Sequence, residues 1–126
     1  MRITIEVIKH EDQRYPTVGD WLWPNEHNLL IRVSELGDWR KEAAVAVHEL
    51  VEAILCKADG VAAAAVDAFD RAYEADRPPL DDSEPGDDPT APYHRQHCFA
   101  TAVERMLIAA LGMPWAEYEQ AVEALP

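Results

Sequence analysis

The sequence predicts an α+β domain: a small N-terminal antiparallel sheet of about three strands, followed by three to four helices with a central helix buried. Three observations carry this expectation. Strand-like alternation and short β-branched runs end at Val33. Helical periods begin only after Asp38. The stretch AAVAVHELVEAILC, Ala43 to Cys56, is apolar nearly all round, as in a helix packed on every side. Strands first and helices after is the order of an α+β fold.

Taken in order, Ile3, Ile5 and Val7 alternate with Thr4 and Glu6, the pattern of a half-buried strand. A turn-prone stretch, HEDQRYPTVGD, leads to Trp21-Leu22-Trp23, a short second strand. Pro24 to Asn28 is turn chemistry, and Leu29 to Val33 is a third strand. Trp21 and Trp23 are expected to pack in the core. Asp38 is the expected N-cap of the central helix, which runs to about Lys57 and stops at Asp59-Gly60. A second helix covers Val61 to Ala75, with Ala62, Val66, Phe69 and Tyr73 as its apolar stripe. Residues 76–92 hold five prolines and no period, so they read as a long loop, either a lid or a disordered tether. The third helix runs from Tyr93 to Leu111, with Phe99, Val103, Met106 and Ala110 as its expected packing stripe. Gly112 ends it. Pro114 opens a short fourth helix whose apolar face is Trp115, Tyr118, Val122 and Leu125.

The chain has 126 residues, enough for one domain with a core, residues 1–126. Its formal charge is −13. Six acids and one arginine between Asp76 and Pro92 give that loop a net −5, and the remainder is still acidic. Phosphate contacts need clustered Lys and Arg, so nucleic acid and anionic membrane surfaces are not expected partners. No apolar run reaches the roughly 18 residues of a bilayer span, and MRITIEVIKHEDQ does not read as a signal peptide. The expectation is a soluble, cytoplasmic protein. Cys56 and Cys98 lack CxxC spacing and read as two reduced, buried thiols.

The chemistry concentrates in His48-Glu49-Leu50-Val51-Glu52. On a helix His48 and Glu52 share one face, one turn apart, and Glu49 lies about 100° round. Ionisable groups in so apolar a setting need partners. A metal is one partner; the alternative is internal hydrogen bonding, with Arg32, Arg71, Arg95 or Arg105 meeting the acids. In the HExxH arrangement the i and i+4 side chains bind zinc, and the Glu after the first His activates a water. Two ligands from one helix need a third. His94, His97, Thr101 and Glu104 share a face of the third helix, and His97, inside the regular helix, is preferred to His94 near its start. Glu104 is a distant candidate to orient His97. Asp67 and Asp70 form a second acidic pair, either a solvated face or a carboxylate cluster with Glu49 and Glu52. A four-carboxylate cluster favours Mg²⁺ or Mn²⁺ over Zn²⁺.

NLLIRVS, AVHELVEAIL and HCFATAVERMLIAAL resemble the edge strand, active-site helix and downstream helix of small zincin-like metallopeptidases of bacteria and phages. The resemblance covers residues 29–111. It implies Zn²⁺ held by His48, Glu52 and His97, Glu49 as general base, and a metal-dependent hydrolase acting on a protein or small-molecule substrate. Glu52 stands where those enzymes have His, which bears on peptidase activity more than on metal binding. Glu49-Leu50-Val51-Glu52 and Asp67-Ala68-Phe69-Asp70 also resemble the ExxE and ExxD of MazG-like nucleotide pyrophosphatases, which implies Mg²⁺ over a nucleotide triphosphate. That fold is all-α and has no place for the N-terminal strands. A third expectation is a non-catalytic phage or accessory structural protein whose polar cluster organises its core.

Overall fold

The computed structural model describes all 126 residues. Strands β1 (Arg2–Ile8), β2 (Gly19–Asn25) and β3 (Asn28–Ser34) precede helices α1 (Trp39–Ala58), α2 (Ala63–Asp76), α3 (His94–Ala110) and α4 (Trp115–Glu123). The α+β architecture is the expected one. The sheet, however, is mixed rather than antiparallel. Its order is β1-β3-β2, with β2 antiparallel and β1 parallel to the central β3. The β2–β3 hairpin closes over Asn25, whose Oδ1 accepts from the His27 backbone N–H at 2.9 Å. Because β2 turns straight back along β3, β1 can join only on the far side.

Leu29, Ile31 and Val33 of β3 are fully buried under α1. Ile3, Ile5 and Val7 lie beside them in register, yet all three are exposed. The alternation in β1 marked a strand correctly. Helix α1 lies over β2 and β3 and leaves the β1 row uncovered.

Asp38 caps α1 by accepting from the Arg40 N–H at 2.9 Å. Gly60, at φ +72°, ends it in the left-handed region. Helix α3 packs along α1, while α2 makes only sparse contact with α1 and meets a short 3-10 turn, Pro85–Asp87, instead. That turn belongs to the Pro/Asp-rich loop, here called the strap, which also contacts α3.

Helix α3 reverses the expectation for its packing face. Phe99 and Met106 are 58% and 71% exposed, and the buried face carries Gln96, His97, Ala100, Glu104 and Ile108. The physical reason lies on α1. Its face toward α3 bears His48 and Glu52, which tolerate burial only against groups that satisfy them. The polar stripe of α3 supplies those groups; the apolar stripe cannot. No helix is long and apolar enough to cross a membrane. Cys56 is buried as expected, but Cys98 is exposed, and the two are not joined.

Candidate metal centre

Glu52 is the hub of the α1–α3 interface. Its Oε2 lies 3.2 Å from His48 Nε2 and 3.0 Å from His97 Nδ1. Its other oxygen, Oε1, accepts from the indole N–H of Trp21 at 2.9 Å. All four side chains are buried. Residues 48 and 52 meet because they are one helical turn apart; His97 meets them because α3 crosses α1 at that level. Trp21 is indeed in the core, and its N–H also fixes the orientation of the Glu52 carboxylate.

The rear of His48 is held as well. Its Nδ1 donates to Glu104 Oε1 at 2.9 Å, and Glu104 Oε2 accepts from the Tyr118 hydroxyl. Glu104 therefore orients His48, not His97 as its place on α3 suggested. With Nδ1 committed to Glu104, the Nε2 of His48 points at Glu52 and His97. Burial opposes charge on His48, yet hydrogen bonds to Glu104 and Glu52 raise its pKa well above the ordinary histidine range. Burial likewise opposes charge on His97, and the carboxylates of Glu52 and Glu84 outweigh it, to about 10. Burial alone would raise Glu52; its two imidazole partners lower it to about 2.

His48, Glu52 and His97 each offer a donor atom, and the three atoms lie within 4.8 Å of one another. Tetrahedral zinc with bonds of about 2.0–2.1 Å needs donors roughly 3.3 Å apart. The 3.0 and 3.2 Å spacings about Glu52 Oε2 come close to that without rearrangement. An imidazole–carboxylate–imidazole set, backed by Glu104 on His48, suits a first-row divalent ion.

Glu49 is buried on the β2 side of the same helix, against Gly19. A Cβ at Gly19 would lie 2.6 Å from Glu49 Oε1, so only glycine leaves room for this carboxylate. It accepts no hydrogen bond from the protein. Burial, then the charge of Glu52, raises its pKa well above the carboxylate range.

His94, Asp67 and Asp70 are not brought to this cluster. His94 Nδ1 donates to Gly86 O at 2.8 Å. Asp67 pairs with Arg14, which also pairs with Asp20. Asp70 accepts from the Tyr15 hydroxyl at 3.2 Å and from the Tyr93 hydroxyl. Burial raises Asp70 to about 6, against the pull of those phenols. Because α2 swings away from α1, the two acidic pairs do not form one cluster. Sequence reasoning missed Trp21 as a donor, Tyr118 behind Glu104, and the strap residues Glu84 and Asp87. Tyr118 and Trp21 each left a sequence signal: a hydroxyl or an indole N–H expected in an apolar setting needs a buried partner.

The cluster opens on a cavity of roughly 560 Å³. Thirteen carboxylate residues line it against two arginines, Arg77 and Arg105. Arg77 is held by Glu74, and Arg105 lies over the Trp115 ring. No protein-family model, curated protein or solved structure matches this chain.

Proposed function

We propose that this protein is a zincin-like metal-binding domain, with one divalent ion, Zn²⁺ in the first instance, held by His48, Glu52 and His97. The observation that carries the reading is the convergence of His48 Nε2 and His97 Nδ1 on one oxygen of Glu52, with the rear nitrogen of His48 tied to Glu104. A bound ion would supply a Lewis acid at the head of the cavity. The chain's own contribution is Glu49, a carboxylate whose burial raises its pKa well above the usual range and so favours its holding a proton. Together these support a metal-dependent hydrolase of the peptidase-like class. The acidic cavity favours a cationic or neutral substrate over a nucleotide, which weighs against the pyrophosphatase alternative with Mg²⁺ or Mn²⁺. The free thiols and the acidic surface suit a cytoplasmic setting.

One observation favours the non-catalytic alternative: both imidazoles already have carboxylate partners, so the cluster can organise the core unaided. Elemental analysis of protein purified without chelator separates the two. Near-stoichiometric zinc that disappears in His48→Ala supports the centre. Absence of any metal, with unchanged stability in His48→Ala, sinks it. With zinc present, Glu49→Gln should keep the metal and lower any hydrolytic activity by about 10²- to 10⁴-fold.

A further inference from the structure

His97 presents its two ring nitrogens to two different acidic groups. Nδ1 faces Glu52 inside the α1–α3 interface. Nε2 faces the strap, 3.1 Å from Glu84 Oε2 and 3.2 Å from Asp87 Oδ1. The imidazole side chain is only 6% exposed, while Glu84 and Asp87 are 50% and 60% exposed. Neither outer contact has hydrogen-bond alignment, and Nε2 is buried without a hydrogen-bond partner. A buried nitrogen set between two carboxylate oxygens, aligned for a hydrogen bond to neither, is placed to share a cation with them.

The strap is shaped around this ring. Gly86 packs so closely that a Cβ there would lie 2.3 Å from His97 Cγ. The backbone of Gly86 is further held by His94, through its carbonyl. Glu84 and Asp87 therefore flank the one strap residue that can approach the ring, and their carboxylates bracket Nε2. Arg77, the strap's arginine, is engaged with Glu74 and the Asp81 carbonyl and does not neutralise them.

We infer that Glu84, Asp87 and the Nε2 of His97 form a second, outer divalent-cation site that clasps the strap onto α3. The three donor atoms lie within 4.8 Å of one another. Two carboxylates and one imidazole suit Zn²⁺ or Mn²⁺; Ca²⁺ wants about six to eight oxygens. The half-exposed carboxylates leave room for water ligands, so this site binds more weakly than the inner one. It shares His97 with the inner centre and rests on the same ring orientation; when both ions are present the ring would bridge them as imidazolate, its remaining N–H proton released to solvent.

Equilibrium dialysis against Zn²⁺ alone, on the full chain, tests this. The native protein should take up two equivalents, the weaker with at least about tenfold lower affinity. Glu84→Gln with Asp87→Asn should lose the weaker equivalent and keep the tighter one, since both residues meet only the outer nitrogen of His97. His48→Ala should keep the weaker one. Hydrogen exchange in residues 80–92 should slow on adding Zn²⁺ in the native chain and not in the strap double variant. A single equivalent in both native protein and strap variant overturns the outer site and leaves the inner reading standing. A second equivalent that persists in the strap variant also overturns it. A single equivalent lost from the strap variant but kept in His48→Ala upholds the outer site and removes the inner one.

Discussion

Glu49 and Glu52 on α1 share their spacing with Asp67 and Asp70 on α2, yet the two pairs have opposite surroundings. Glu52 sits between two imidazoles and an indole N–H, all buried. Asp67 lies against Arg14 at the surface, and Asp70 takes two phenolic hydroxyls. Glu52 is pulled down to about 2, whereas Asp70 is pushed up to about 6. Carboxylates at one spacing thus become a metal-ligand candidate or a plain structural acceptor according to what the neighbouring element carries. Helix α3 brings histidines to α1; the β1–β2 connection brings an arginine and a tyrosine to α2.

The sharpest way to break this contrast is at Glu52. Glu52→Ala strips the partner from two buried imidazoles and should cost about 3–5 kcal/mol in urea unfolding of chelator-treated protein. It should also abolish the tighter zinc equivalent. A loss below about 1 kcal/mol would show that the α1 acid is no more embedded than the α2 pair.

Behind the site, Glu104→Gln should weaken zinc binding by about 10- to 100-fold while leaving the fold intact, because it alters the acceptor that orients His48. Competition with a chromogenic chelator measures this. An unchanged affinity would detach Glu104 from the centre.

The pH dependence separates the two carboxylates, Glu52 and Asp70, by sign. In chelator-treated protein the raised pKa of His97 contributes stability that is complete below about 6.5 and fades as pH climbs through about 10. The lowered pKa of Glu52 contributes stability present above its usual value of 4.5 and lost as pH falls toward about 2. Asp70 works the other way. Its raised pKa disfavours the charged form, so its contribution is lost as pH rises from 3.8 through about 6. Asp70→Asn should therefore lessen the fall, or steepen the rise, of thermal stability across that interval. Zinc should remove the alkaline loss, since ligation needs unprotonated imidazole. Melting curves across pH, with and without zinc, report all three.

The smallest effect belongs to Asp67→Asn. This partly exposed ion pair should be worth less than about 1 kcal/mol, and zinc stoichiometry should not change. A lost metal equivalent in Asp67→Asn would restore the four-carboxylate cluster that the fold does not form.

Much of this was legible along the chain because it depends on local rules. Asp38 and Gly60 bound α1 through capping and backbone conformation, and the i, i+4 spacing put His48 and Glu52 on one face whatever packed against them. The preference for His97 over His94 followed from its place inside the helix. What the sequence could not carry was which faces meet. The apolar stripe of α3 reads as a packing face, yet it is exposed, because the polar face of α1 needed partners more than Phe99 and Met106 needed cover. Ile3, Ile5 and Val7 alternate as buried residues do, but only the placement of α1 decides whether a helix lies over them. Glu104 and Trp21 reach the site across 56 and 31 positions of chain, and no local period encodes such contacts. The sequence by itself determined the helices, their ends and the pairing of His48 with Glu52, since these follow from steric and hydrogen-bonding preferences within a few residues. Only the tertiary structure decided that His97 closes on that pair, that Asp67 and Asp70 do not, and that the strap lies over the ring. Those outcomes depend on the balance between burying charge and satisfying it, which is settled only when elements distant in sequence are in contact.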